Sequence, residues 1–171
     1  VVSVLSTVTA WLLNHDRPIY RSPAATVTGT GLGWVVLVVA ISTVVGAGMG
    51  VPFGEMKRRV PVTSRLWWTV PLGSAGVTAI ALAAPQVVGN GQVIVNLVLA
   101  HPVAPASLAI LLVGKILATT MALRSGAAGG LLTPSLSAGA LVGALVAVVA
   151  GIDAPSQIAM MVIVGAGCVL S

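Results

Sequence analysis

Charge is scarce in this 171-residue chain. Eight Lys and Arg and three Asp and Glu make up 6% of it, where a soluble domain carries roughly 25%. So few charged groups cannot keep an outer surface wet, which excludes a water-soluble globule. A disordered tail is excluded too, because disorder couples high charge to low hydrophobicity. The single cysteine, Cys168, permits neither an internal disulfide nor a cysteine-based zinc site. The two histidines, His15 and His101, sit beside Asp16 and Pro102 and read as loop residues, not as a metal set. Glu55 and Asp153 are too far apart in sequence to propose a carboxylate dyad. Aromatic residues amount to 4%, too few for base stacking. The net charge of +5 therefore does not read as a nucleic-acid surface.

What is present is apolar. Hydrophobic residues make up 57% of the chain and the mean hydropathy is +1.10. Charge-free stretches cover 22–54, 66–114 and 125–152. Each exceeds the roughly 20 residues that a spanning helix needs. The polar alternation of a membrane barrel is missing, so the spans are expected to be helical. The pattern predicts the end of a helix at 1–13 and a polar loop through His15, Asp16, Arg17 and Pro18. Helices follow over 34–56, 66–84, 105–123 and 133–150, with a short apolar piece over 92–100 and a last helix from about 156. Breaks fall at Pro85 with Gly89-Asn90-Gly91, at His101-Pro102, and across 124–130. The chain begins and ends inside apolar runs. It is expected to be a partial transmembrane transport domain, 1–171, truncated at both ends.

Lys57, Arg58, Arg59 and Arg65 gather between two apolar runs. The positive-inside rule puts that loop on the cytoplasmic side. The spans are uneven and interrupted by glycine and proline. Irregular backbone at membrane depth is buried in protein or lines a cavity, and interrupted hydrophobic segments point to a transporter's ion site.

The stretch 115–143, KILATTMALRSGAAGGLLTPSLSAGALVG, carries the chemistry. A glycine-rich turn over 125–130 enters a helix, and Pro134 is tolerated in the first turn because its missing N–H costs nothing there. The first N–H groups of a helix have no intrahelical partner. At Gly130, Leu131 and Leu132 these donors would point into a cavity, with the positive end of the helix dipole behind them. Together they form an anion site without a full cation. Partial charges replace hydration yet permit exit, whereas a buried Lys or Arg would hold an anion too tightly. The alternative is a helix start that takes no ligand and merely permits close packing.

These residues resemble the CLC family of chloride channels and proton-coupled chloride antiporters. Its hallmark is a Gly-x-Phe-x-Pro motif after a Ser-Gly-x-x-Gly turn. This chain has Ser125-Gly126-Ala127-Ala128-Gly129, then Gly130-Leu131-Leu132-Thr133-Pro134. Gly139-Ala140-x-x-Gly143 and the run from Val164 to Ser171 are also similar. The resemblance implies an all-α polytopic membrane protein with broken and tilted helices, the second half of an inverted-repeat fold, and chloride as the partner ion. Backbone N–H groups at Leu131 and Leu132 would coordinate chloride, with Gly130, Thr133 and Pro134 completing the helix start and Ser125, Gly126 and Gly129 the turn. It further implies a multi-pass protein, in the cell membrane, that acts as a homodimer with no cofactor and no covalent chemistry. The interface helices would lie at 1–13 and from 156 onward. Leu132 stands where the family usually has Phe. The family's Gly-Ser-Gly-x-Pro motif, its gating Glu motif and its site-completing Tyr are not among these 171 residues; Glu55 and Tyr20 are in other contexts.

Other features are weaker. Lys115 and Arg124 are nine positions apart, on opposite helix faces; each snorkels, is paired internally, or serves an ion path. Gly46-Ala47-Gly48-Met49-Gly50 lacks the strand–turn–helix setting of a dinucleotide site and reads as small-residue helix packing. The ending Cys168-Val169-Leu170-Ser171 fits a prenylation box but follows an apolar helix without basic residues. Rival functions are another secondary carrier for an anionic solute, or a membrane-embedded non-transport protein. A hydrolase would need Ser135 or Ser137 beside a histidine, and neither histidine lies in a span.

Overall fold

The computed structural model describes residues 29–58, 66–100, 103–126 and 131–169. The expected helix end at 1–13, the loop around His15, most of the basic loop, His101-Pro102, and Gly129 with Gly130 lie outside the described residues.

Six α-helices are described: α1 (Gly29–Arg58), α2 (Leu66–Ala83), α3 (Gln92–Ala100), α4 (Pro105–Arg124), α5 (Leu132–Val149) and α6 (Pro155–Cys168). Among the described residues there is no strand, so the all-α expectation holds. Four helices are long and apolar enough to cross a membrane: α1 over Gly31–Glu55, and α2, α4 and α5 along their whole lengths. The α1 helix, at 30 residues, is about 45 Å long. That exceeds the roughly 30 Å of a hydrocarbon core, so α1 crosses at a tilt or emerges from it. It starts earlier than position 34. The glycines at 29, 31 and 33 are poor helix formers, which is why propensity alone starts the helix after them.

The break expected at Pro85 with Gly89-Asn90-Gly91 is present. A single 3-10 turn, Pro85–Val87, follows α2. Gly89 and Gly91 then take positive φ, +86° and +89°, which glycine adopts without steric cost. Asn90 Oδ1 accepts the Gln92 N–H at 3.0 Å and starts α3. Proline in the first turn opens both α4 and α6.

The core is α5. Residues 137–144 are all buried, more than two full turns, so no face of this part is open. A helix apolar all round is a buried one. It packs against α1, α3, α4 and α6. The α5–α6 contact is backbone on backbone: a Cβ on Gly139 would run into the Gly165 carbonyl, and one on Gly143 into the Met161 carbonyl. Small residues allow such an approach between membrane helices. The α1 helix runs antiparallel to α5. Its Val38 joins a cluster with Val146, Ala147 and Met161; its Met49 and Phe53 join Leu123 and Ala138, with Leu131 packed alongside. By contrast, α2 has no buried residue. It meets α4 through Gly73 and Gly76, which lie against Ser125 and Met121, and Trp67 and Trp68 face outward.

Candidate functional site

The candidate site lies where α4 ends and α5 begins. Ser125 closes α4: its N–H donates to Met121 O at 3.0 Å and its hydroxyl to Ala122 O at 2.7 Å. Its own carbonyl accepts from Thr69 Oγ1 at 3.1 Å. Gly126 takes φ +84° and donates to Leu123 O at 3.1 Å. These two residues of the predicted turn therefore terminate one helix and dock α2 onto it. Their polar groups are engaged with the protein itself.

Leu131 precedes α5 at φ −88°, ψ −14°, and no side chain caps the helix. Ser135 N–H donates to Leu131 O at 3.0 Å, which is where the intrahelical ladder begins. The N–H groups of Leu131, Leu132 and Thr133 precede that rung and have no carbonyl one turn back inside the helix. Pro134 has no donor to strand. The helix begins one residue earlier than expected, and the Thr133 N–H belongs to the unpartnered set beside those of the two leucines. From sequence, Thr133 is expected only as part of the helix start. No acidic residue lies in the first turn, so the positive end of the dipole is not neutralised locally.

The two leucines diverge. Leu131 is half-buried beside Met49, Phe53, Leu123 and Ala138. Leu132 is 66% exposed, so its side chain is free to line an approach to the tip.

Lys115 is buried, at 3% exposure, in the middle of α4. Its Nζ donates to Val87 O at 3.0 Å and to Gly89 O at 2.7 Å. Of the readings open to it, internal pairing is the one observed, and the partners are backbone carbonyls. A central charge costs roughly 2.5–3.5 kcal/mol on insertion scales, and hydrogen bonds from a charged group return about 1.5–3 kcal/mol each. Arg124 is exposed in the last turn of α4, on the opposite face, as the nine-residue spacing requires.

A hollow elsewhere in the bundle is a rival site. A cavity of about 440 Å³ is lined by Val98, Leu108, Ala144, Val148 and Asp153 among others. It sits toward the far end of α5 from Leu132. Asp153 is the one charged group on its described wall, which is the wrong sign for an anion. Ser137 does not fit a nucleophile: it is fully buried and its hydroxyl donates to Pro134 O at 2.9 Å. Among the described residues no group of His, Cys, Asp or Glu could hold a metal ion.

Compared with known proteins, the chain matches the family described as voltage gated chloride channel along residues 1–171. A protein of Ralstonia nicotianae named as a ClcB-like chloride channel protein is 39% identical over 89 residues, which is 52% of this chain and 20% of that protein. The aligned stretch thus spans about one fifth of this relative. No solved structure matches.

Proposed function

This chain belongs to the voltage-gated chloride channel (CLC) family, as an integral multi-pass membrane protein, and from that premise we propose that it forms part of a chloride path. The anion is held by the N–H groups of Leu131, Leu132 and Thr133 at the tip of α5, which Gly130 precedes in sequence. The observation that carries the reading is this uncapped helix start, placed at the end of the most buried helix of the bundle. A helix terminus presents several donors and a partial positive charge. It thereby substitutes for water around a halide without the tight grip of a full cation. Hydrophobic Leu131 fixes one side of the tip, and Leu132 lines the approach on the other.

The reaction is movement of chloride across the membrane, as a channel or in exchange for protons, with no covalent step. The full-length protein acts as a homodimer, with this stretch as one part of each subunit's transport domain. The resemblance of 115–143 to the family supports both statements.

The test is chloride efflux from liposomes that contain the full-length protein. Efflux is expected, and vesicles that release no chloride overturn the reading. Parallel measurement of proton movement separates channel from exchanger. Leu131→Pro removes one donor while leaving the helix ladder intact. It should weaken chloride binding about tenfold, the equivalent of roughly 1.4 kcal/mol. Unchanged affinity in a folded variant would place the ion elsewhere.

A further inference from the structure

We propose that Lys115 is a positioning residue for the α5 tip, acting through the break between α2 and α3; the inference rests on the chloride reading above. Lys115 reaches out of α4 and gathers two carbonyls that lie two residues apart, Val87 O and Gly89 O. One belongs to the 3-10 turn and the other to the bend that follows it. An ammonium with three rotatable donors fixes the path of the chain between them. Gly91 comes two residues later, buried and at φ +89°. A Cβ there would lie 2.5 Å from both Cβ and Oγ of Ser137 and 3.3 Å from Thr133 O. The break therefore rests with its bare backbone on the first two turns of α5. Thr133 is itself one of the three donors at the tip.

The break is also the start of α3, because Gly91 O accepts the Val95 N–H at 3.1 Å. Ile94, Val95 and Val98 of α3 share one buried cluster with Ala140, Leu141 and Ala144 of α5. Loosening the break thus removes support from the start of α5 and along its length. The ammonium is bound to carbonyls, so its action on the anion runs through backbone position. Charge and position are separable. Gly91→Ala alters no charge yet disturbs the same contact, and Lys115→Met keeps the stem but loses both carbonyl bonds.

The experiment uses the full-length protein and two readouts: chloride titration by calorimetry, and hydrogen exchange of the peptide covering 131–140 in chloride-free buffer. In Lys115→Met the exchange of this peptide should speed up about tenfold through local opening, and chloride affinity should fall about tenfold. Lys115→Arg, which keeps both reach and donors, should restore each to within about threefold. Lys115→Met combined with Gly91→Ala should be no more than about twofold worse than the weaker single variant, because both act on one contact. Unchanged exchange in a folded Lys115→Met protein overturns the proposal. So do multiplicative losses in the double variant, which would mean that Lys115 and Gly91 act independently. If the parent binds no chloride but exchange still responds to Lys115→Met, the chloride reading fails and the positioning role stands. If the parent binds chloride and neither readout moves, the reverse holds.

Discussion

Leu131 and Leu132 are adjacent in sequence and opposite in duty. The first packs among Met49, Phe53 and Leu123; the second is 66% exposed. Replacing Leu132 by the Phe that the family usually carries should leave stability within about 0.5 kcal/mol, as at other surface positions, and change the ratio of chloride to nitrate flux. Leu131→Ala should cost roughly 1–2 kcal/mol, less than the 2–5 of a fully buried leucine. Denaturation midpoints in detergent would distinguish the two, and equal losses would contradict the divergence seen here. That a helix starts here was legible from the glycine turn and Pro134. Which leucine faces inward was not. That depends on the register of the first turn, and Pro134 is compatible with any of the first few helical positions. The partner of Lys115 was not legible either, because its carbonyls come from a segment 26–28 residues away. The nearest signal was Gly89-Asn90-Gly91, a break dense enough in glycine to imply a special backbone.

Among the elements, α5 and α6 form the closest pair. Gly139 and Gly143 face the backbone of Gly165 and Met161, so any side chain at either position must push the helices apart. Gly143→Ala should destabilise by more than about 3 kcal/mol or prevent assembly, through overpacking. Gly167→Ala in the same α6 helix meets nothing within 4 Å and should be neutral or stabilising by up to about 1 kcal/mol. A thermal shift in detergent compares the pair, and a tolerated Gly143→Ala would contradict the backbone contact. The helices themselves were largely legible, because hydrophobic runs between charges and Pro/Gly breaks mark membrane spans directly. Their packing was not. Nearly every residue of these spans is apolar, so composition carries no face, and the lipid side of α2 cannot be told from the protein side of α5.

At the scale of the molecule, the antiparallel run of α1 against α5 has an electrostatic result. Phe53 and Leu131 share one cluster, so the α1 end with Lys57 and Arg58 lies at the same end of the bundle as the start of α5, where the anion is proposed to bind. Thr69, in the first turn of α2, bonds Ser125 at that end too. Half of the chain's basic residues, Lys57, Arg58, Arg59 and Arg65, therefore belong to the stretch that joins two helix ends beside the tip. Such a cluster raises the local anion concentration. Replacing these four by Gln should slow chloride flux several-fold at low salt. The difference should fade above about 0.15 M, where screening reaches about 8 Å. A defect independent of salt would argue against steering. The sequence puts this loop on one side of the membrane, but only the fold brings the end of α1, at Phe53, to Leu131. The rim helix α2 has a further consequence. It buries nothing, shows Trp67 and Trp68 to its surroundings, and grips the bundle along Thr69, Gly73 and Gly76. A bilayer that thickens or thins acts on most of its circumference. Any lean this imposed would arrive at Ser125, a few residues from where the ion would dock, and would give lipid thickness a short mechanical lever on the proposed permeation.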